Sequence, residues 1–167
     1  MNQVLGIDPS SKKIAMIYKS NTHNDAWSAN VSKYQTREEI AYHFFVISCE
    51  WFKQVKEEFG EDTQVWIEEP VVGRNKRAVI VQAQIQGVLM ASALHSGLRN
   101  TYSVSNTAWK KEVVGMGNAD KEACKTWLQT YDANLATLCG DDPDFIDAAC
   151  IAIYGRRIRA KAEQIAP

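Results

Sequence analysis

Four acidic residues stand where carboxylates could do chemistry together. Asp8 closes the apolar run Val4-Leu5-Gly6-Ile7, and Glu68 closes the segment QVWIE (64–68). Asp144 and Asp147 lie three apart at the start of the last helical segment, a spacing that puts both on one helix face, about one turn from each other. Unpaired like charges at that distance repel, and an added cation removes the penalty. Oxygen ligands of this kind suit hard divalent ions such as Mg²⁺ or Mn²⁺. Two such ions roughly 4 Å apart activate a water on one side of a phosphodiester and stabilise the leaving oxygen on the other. That chemistry needs acids converging from several elements. The ends of two strands and the first turns of a helix can supply them.

Each acid also has a purely structural explanation. Asp144 falls in a first helical turn, where the helix dipole favours any acid. Asp8 is able to cap a turn with Pro9 and Ser10, and Glu68 and Glu69 can be a solvated strand end. Asp147 is harder to explain this way, because Phe145, Ile146, Ala148, Ala149, Ile151 and Ala152 surround it in sequence. A carboxylate there is either paired in the interior or binding something.

The elements that must position these acids follow from periodicity. Residues 3–8 and 13–18 read as strands joined by the turn Pro9-Ser10-Ser11, and a third strand is expected at 25–31. Thr36 is an N-cap with Glu38 and Glu39 behind it. Ile40, Phe44, Ile47, Trp51 and Val55 then recur at helical spacing, predicting a helix over 37–59 that Gly60 ends. A strand at 64–68 is closed by Pro70, and the loop VVGRNKR follows. Residues 78–96 are nearly apolar all round, as in a buried or interface helix. A strand at 101–104, a short helix near 107–113 broken by Gly115 and Gly117, and a helix from about Asp120 to Tyr131 complete the middle. The last helix starts with Asp142 as N-cap and Pro143 in its first position. A meander followed by alternating helices and strands is the pattern of an α/β fold, a mixed sheet flanked by helices. With no internal repeat, linker or low-complexity segment, residues 1–167 read as a single domain.

Composition sets bounds. The 46% hydrophobic and 23% charged content is ordinary for a globular chain. No export signal is read at the N-terminus, and no apolar run is expected to approach the roughly 20 residues a membrane crossing needs. The four cysteines lack CxxC spacing and only three histidines are present, so free thiols are expected rather than a zinc site. The net charge of −1 permits a nucleic-acid face only as a local excess. Basic residues for it are Arg74, Lys76 and Arg77, then Lys110, Lys111, Lys121 and Lys125, and the run Arg156 to Lys161.

Taken together, these segments resemble the RuvC-type Holliday junction resolvases of the ribonuclease-H-like superfamily, over nearly the whole chain. GIDPS (6–10) is similar to the family's opening strand with its first catalytic Asp. WIEEP (66–70) is similar to its second catalytic strand, and DFIDAACIAI (144–153) to its closing helix. The most specific likeness is TAWKKEVVGMGNADKEA (107–123), in which Lys110 and Lys121 flank a VVG-x-G turn at the family's spacing.

The resemblance implies a ribonuclease-H-like fold with a five-stranded mixed sheet. It implies a metal-dependent endonuclease for branched DNA, resolving four-way junctions by paired nicks through water and leaving a 5′-phosphate and a 3′-hydroxyl. Asp8, Glu68, Asp144 and Asp147 would hold Mg²⁺ or Mn²⁺, two ions per site. Lys121 would act in catalysis beside the scissile phosphate, with Lys110 on the DNA backbone. It also implies a homodimer in the cytoplasm of a bacterial or virus-infected bacterial cell; helix 78–96 is then either the dimer element or core. The sequence departs from the family in the loop after Glu68, which lacks the usual aromatic residue. Arg74, Lys76 and Arg77 offer phosphate contacts there instead. That difference suggests a diverged, viral branch with broader specificity for branched DNA. Rival readings are a nuclease of the same fold for RNA or RNA–DNA hybrids, a junction-binding protein that does not cut, and, more remotely, an actin-like ATPase. The last requires two domains and a longer chain.

Overall fold

A computed structural model describes residues 3–10, 12–30, 36–72 and 76–165. Its first three strands, β1 (Val4–Pro9), β2 (Lys13–Lys19) and β3 (Asn24–Asn30), form an antiparallel meander. The chain then crosses through α1 (Arg37–Phe59) to β4 (Gln64–Glu68), and through α2 (Lys76–His95) to β5 (Thr101–Val104). These crossovers make β4 parallel to β1 and β5 parallel to β4, giving a five-stranded mixed sheet in the order β3-β2-β1-β4-β5. Four helices follow: α3 (Asn106–Val113), α4 (Lys121–Tyr131), α5 (Ala133–Cys139) and α6 (Pro143–Ile165).

Strand alternation divides the core in two. Leu5, Ile7, Val65 and Ile67 point to one face and pack with Phe44, Phe52, Ile85 and Leu89 of α1 and α2. Val4 and Trp66 point to the other face and pack with α6, behind which lie Trp109, Cys124, Leu128 and Leu135 of α3 to α5. Residues 8 and 68 share the parity of this second face.

The helix starts obey their local chemistry. Thr36 and Glu39 form a reciprocal capping box, and Gly60 closes α1 at φ +94°. Asp142 caps α6, its Oδ1 accepting from the Asp144 N–H at 3.0 Å. Asp120 caps α4, which makes Lys121 its first residue.

Three expectations need correction. Pro9 belongs to β1, paired with Ile14, so the turn begins a residue later; Ser10 builds it by accepting from the Lys13 N–H at 3.0 Å (Ser11 lies outside the described residues). Helix α5 is absent from the sequence reading, because Asp132 serves at once as C-cap of α4 and N-cap of α5, leaving no loop between them. Helix α2 is, by length and composition, apolar enough to cross a membrane, contrary to the expectation that no segment is. In this fold it packs along α1 and the sheet through Ile85, Leu89, Ser92 and Ala93.

Candidate active site

Register brings the first two acids together. Ile7 pairs with Ile67 across the parallel β1–β4 ladder, so Asp8 and Glu68 are the next residues of adjacent strands at the same end of the sheet. Both lie on the face that α6 covers, and α6 comes very close. A Cβ at Gly6 would collide with the Ala148 carbonyl oxygen and the Ala152 nitrogen, so only glycine lets the helix backbone rest on β1 there. Two residues beyond Gly6 is Asp8, and one residue before Ala148 is Asp147.

The electrostatics of the acids are linked to one another. Burial pushes the Asp8 carboxyl well above the usual carboxylate range, and the charges of Glu68, Asp147 and Asp144 push it further. Asp147 is pushed up to about 6, first by burial and then by Glu68, while Lys110 and Lys121 pull the other way. The two lysines therefore stand within electrostatic reach of Asp147, although ten residues separate them in sequence. A tight turn brings them there: Gly115, at φ +94°, donates its N–H to the Lys110 carbonyl at 3.1 Å. Lys110 is half-buried with its ammonium 5.3 Å from the Trp109 ring centroid, and Lys121 is exposed.

The remaining acids are held individually. Glu68 Oε1 accepts from Asn106 Nδ2 and from Trp109 Nε1, each at 2.7 Å. Asp144 lies 3.5 Å from Lys13 Nζ, which also donates to Asp142 and sits 4.9 Å over the Phe145 ring. Among the described residues no three acid, imidazole or thiol side chains close into a ready-made metal cage. Two of the acids are held by partners outside the group, Asp144 by Lys13 and Glu68 by the α3 donors. The donor set nevertheless fits a hard divalent cation: it is all oxygen, it comes from two strand ends and one helix, and its innermost member carries an electrostatic penalty that a cation would relieve.

Other sequence-predicted residues fall elsewhere. Lys76 and Arg77 are exposed at the start of α2 and make no ion pair among the described residues. Arg74 lies outside the described residues. Glu69 is exposed, and its N–H is bonded to the Val104 carbonyl at 2.8 Å. The four cysteines are free thiols, and burial pushes Cys124 up to about 11 and Cys139 to about 12, which makes these two poor nucleophiles. Sequence reasoning missed Lys13, Asn106 and Trp109. None stands in a spacing that signals a site, although a fully buried indole N–H must have an acceptor somewhere.

The family model described as crossover junction endodeoxyribonuclease RuvC matches residues 4–154, a span that includes all four acids and both lysines. The chain belongs to the RuvC family. It is accordingly a metal-dependent endonuclease of the ribonuclease-H-like fold that acts on branched, junction-containing DNA. Among solved structures, Thermus thermophilus RuvC aligns over 95% of this chain and 96% of its own, with a TM-score of 0.71 and 18% identity. T. thermophilus RuvC in complex with a Holliday junction substrate aligns over 96% of each chain, with a TM-score of 0.74 and 18% identity. The yeast mitochondrial Holliday junction resolvase Ydc2 aligns over 97% of this chain and 80% of its own, at a TM-score of 0.64 and 13% identity. At these identities the likeness is one of fold. Compared directly with curated protein sequences, the chain has no significant match.

Proposed function

We propose that this RuvC-family chain, one nuclease domain over 1–167, resolves four-way DNA junctions by paired nicks. In this reading Asp8, Glu68, Asp144 and Asp147 hold Mg²⁺ or Mn²⁺, two ions per site. The observation that carries it is the Ile7–Ile67 register, which sets Asp8 beside Glu68 at one sheet end, under the close-packed helix that bears Asp144 and Asp147. A folded protein keeps such a group where a cation or a proton compensates it. Bound there, a divalent ion supplies Lewis-acid polarisation of the phosphate and a more acidic water.

The chain's own residues do the rest. Lys121, exposed at the first turn of α4, and Lys110, braced on Trp109, bring two positive charges to the edge of the acid group. Charge at that edge offsets what builds on the phosphate during cleavage and holds the DNA backbone. Lys76 and Arg77 extend the phosphate contacts along the start of α2, and Arg74 is the third basic residue assigned to DNA. No side chain need act as nucleophile, because water attacks and leaves a 5′-phosphate and a 3′-hydroxyl.

Paired nicks require two sites, and we assign the second to another copy of this chain docked on α2. The outward row of that helix, Ile80, Ala83, Gln84, Gly87, Ala91 and Leu94, is exposed, apolar but for Gln84, and small at its centre. A helix with glycine and alanine on its outer face allows close approach of an identical neighbour. The working compartment on this reading is the cytoplasm of a bacterial or virus-infected bacterial cell.

The deciding experiment is cleavage of a labelled synthetic four-way junction in Mg²⁺ or Mn²⁺, comparing the wild type with Asp147→Asn. Paired nicks that vanish in the variant, with junction binding retained, are expected. Binding without cleavage in either metal would instead assign the protein an architectural role. Inactivity on the junction with cleavage of an RNA–DNA hybrid would move it to the RNA-directed branch of the fold.

A further inference from the structure

Glu68 differs from the other acids in having one oxygen fully occupied by the protein itself. Its Oε1 accepts both the Asn106 Nδ2–H and the Trp109 Nε1–H, each at 2.7 Å. A carboxylate oxygen carries two lone pairs, and these two donors fill them. Oε2 is the oxygen that neither α3 donor takes, and the Glu68 carboxylate as a whole also stands within hydrogen-bond reach of Asp8.

Both donors come from one rigid element. Asn106 is the first residue of α3 and Trp109 lies three further on, so they share a helix face. The start of the helix is pinned by Ser105, which accepts from the Ala108 N–H. Trp109 is completely buried in the core on the α6 side of the sheet, and Asn106 is partly buried beside it. A buried indole N–H without an acceptor would cost much of the free energy gained by burying the ring, so the native packing of Trp109 depends on Glu68 standing where it does. The converse also holds: Glu68 has little freedom to rotate while the α3 ring stays packed.

We infer that Asn106 and Trp109 are positioning residues that lock Glu68 so that it meets the metal through Oε2 alone. The inference rests on the metal-centre reading above. Its consequence is that part of the ordering of Glu68 is complete before any ion arrives, and metal affinity depends on two residues that never touch the metal. Because Lys110 adjoins Trp109 on the same helix, the DNA-facing lysine and the Glu68 clamp are carried by one element.

The test uses the full chain and Mn²⁺. Calorimetric Mn²⁺ binding, junction affinity in EDTA, and single-turnover junction cleavage across a Mn²⁺ series are measured for the wild type, Asn106→Ala, Asn106→Asp, Trp109→Phe and Asn106→Ala/Trp109→Phe. Each single removal of a donor is expected to weaken Mn²⁺ binding about 10-fold and the double removal about 100-fold, with the half-saturating Mn²⁺ for cleavage moving in step. Asn106→Asp, which turns a donor into a like charge, should lose more than Asn106→Ala. The rate at saturating Mn²⁺ and the junction affinity in EDTA should stay within a few-fold of wild type. Variants that melt earlier yet bind Mn²⁺ as the wild type does would overturn the inference and leave α3 as a plain brace. So would a rate loss that excess Mn²⁺ does not recover. Should Trp109→Phe not fold, the two Asn106 variants decide alone. A wild type that neither binds Mn²⁺ nor cleaves would sink the metal-centre reading, and this inference with it. A cleaving wild type with unshifted variants would sink only the clamp.

Discussion

Lys13 Nζ stands 3.5 Å from Asp144 Oδ2 while donating to Asp142, so a single lysine of β2 ties down both acids at the start of α6. The lysine is largely buried, and its cation also faces the Phe145 ring. Asp142 is at the same time the N-cap of the helix. Lys13→Met and Asp142→Ala are each expected to lower unfolding free energy by about 1 kcal/mol. The double variant should lose less than the sum, because both remove the same ion pair. Urea melts of the four proteins check this, and strict additivity would show that the pair is not coupled.

Proton uptake should betray the acid group. Burial and neighbouring carboxylates raise Asp8 well above the usual range and Asp147 to about 6. The unfolded chain gives up these protons near 3.8, so between that pH and about 6 the folded, metal-free protein binds more protons than the unfolded one. The stabilisation from these groups is complete below the unfolded value and is lost as pH rises through the folded values. From about pH 4 to 7 the metal-free wild type should lose on the order of 2 kcal/mol more stability than Asp8→Asn/Asp147→Asn. Mn²⁺ should restore the difference at pH 7 in the wild type only. Parallel pH profiles for the two proteins would contradict the assignment.

Gly6→Ala tests how the helix reaches the strand. The new methyl would meet backbone atoms of Ala148 and Ala152, which cannot swing aside as a side chain can. A loss of about 3 kcal/mol is expected, with Asp147 displaced from Asp8. The readouts are the thermal midpoint and Mn²⁺ affinity. A variant as stable and as tight as wild type would mean that α6 shifts without cost.

Lys121→Met should separate chemistry from binding. Removing a charge at the rim of the acid group is expected to slow single-turnover cleavage about 100-fold. Junction binding in EDTA, shared with other basic residues, should weaken only a few-fold. Equal losses in both would make Lys121 a plain DNA contact.

The α2 row sets the oligomeric state in the proposed reading. Gly87→Arg places bulk where nothing lies within reach of a Cβ, and Leu94→Glu places charge on a half-exposed apolar position. Both should leave the fold intact and yield monomers in sedimentation velocity, with single nicks replacing paired ones. A wild type that is already monomeric at micromolar concentration would remove the dimer from the proposal.

Much of the architecture was legible in the residues. The Thr36 N-cap, the Gly60 stop and the Asp142-Pro143 start are local chemistry, and each appears in the fold where the sequence indicates it. Of the four acids only Asp147, set among apolar neighbours, was hard to explain locally; Asp8, Glu68 and Asp144 each had an ordinary structural use and became candidates through the family resemblance. Helix α5 was not, since Asp132 ends one helix and starts the next with no breaker between them. The exposure of α2 was not either, because a helix apolar all round reads the same whether its second face meets the core or solvent.

The sequence by itself determined all the strands and every helix but α5, and which residues carry charge at their ends, because periodicity, caps and turn preferences act over a few residues. Only the tertiary structure decided that Asp8 and Glu68 adjoin, through the Ile7–Ile67 register, and that Gly6 lets α6 close on them. It also chose the partners of the site: Lys13 for Asp142 across 129 residues, and Asn106 and Trp109 for Glu68 across 38 and 41. Local pattern sets the face on which a side chain stands. Which group meets it there depends on sheet order and on how closely a helix approaches, and these emerge when the two cores pack.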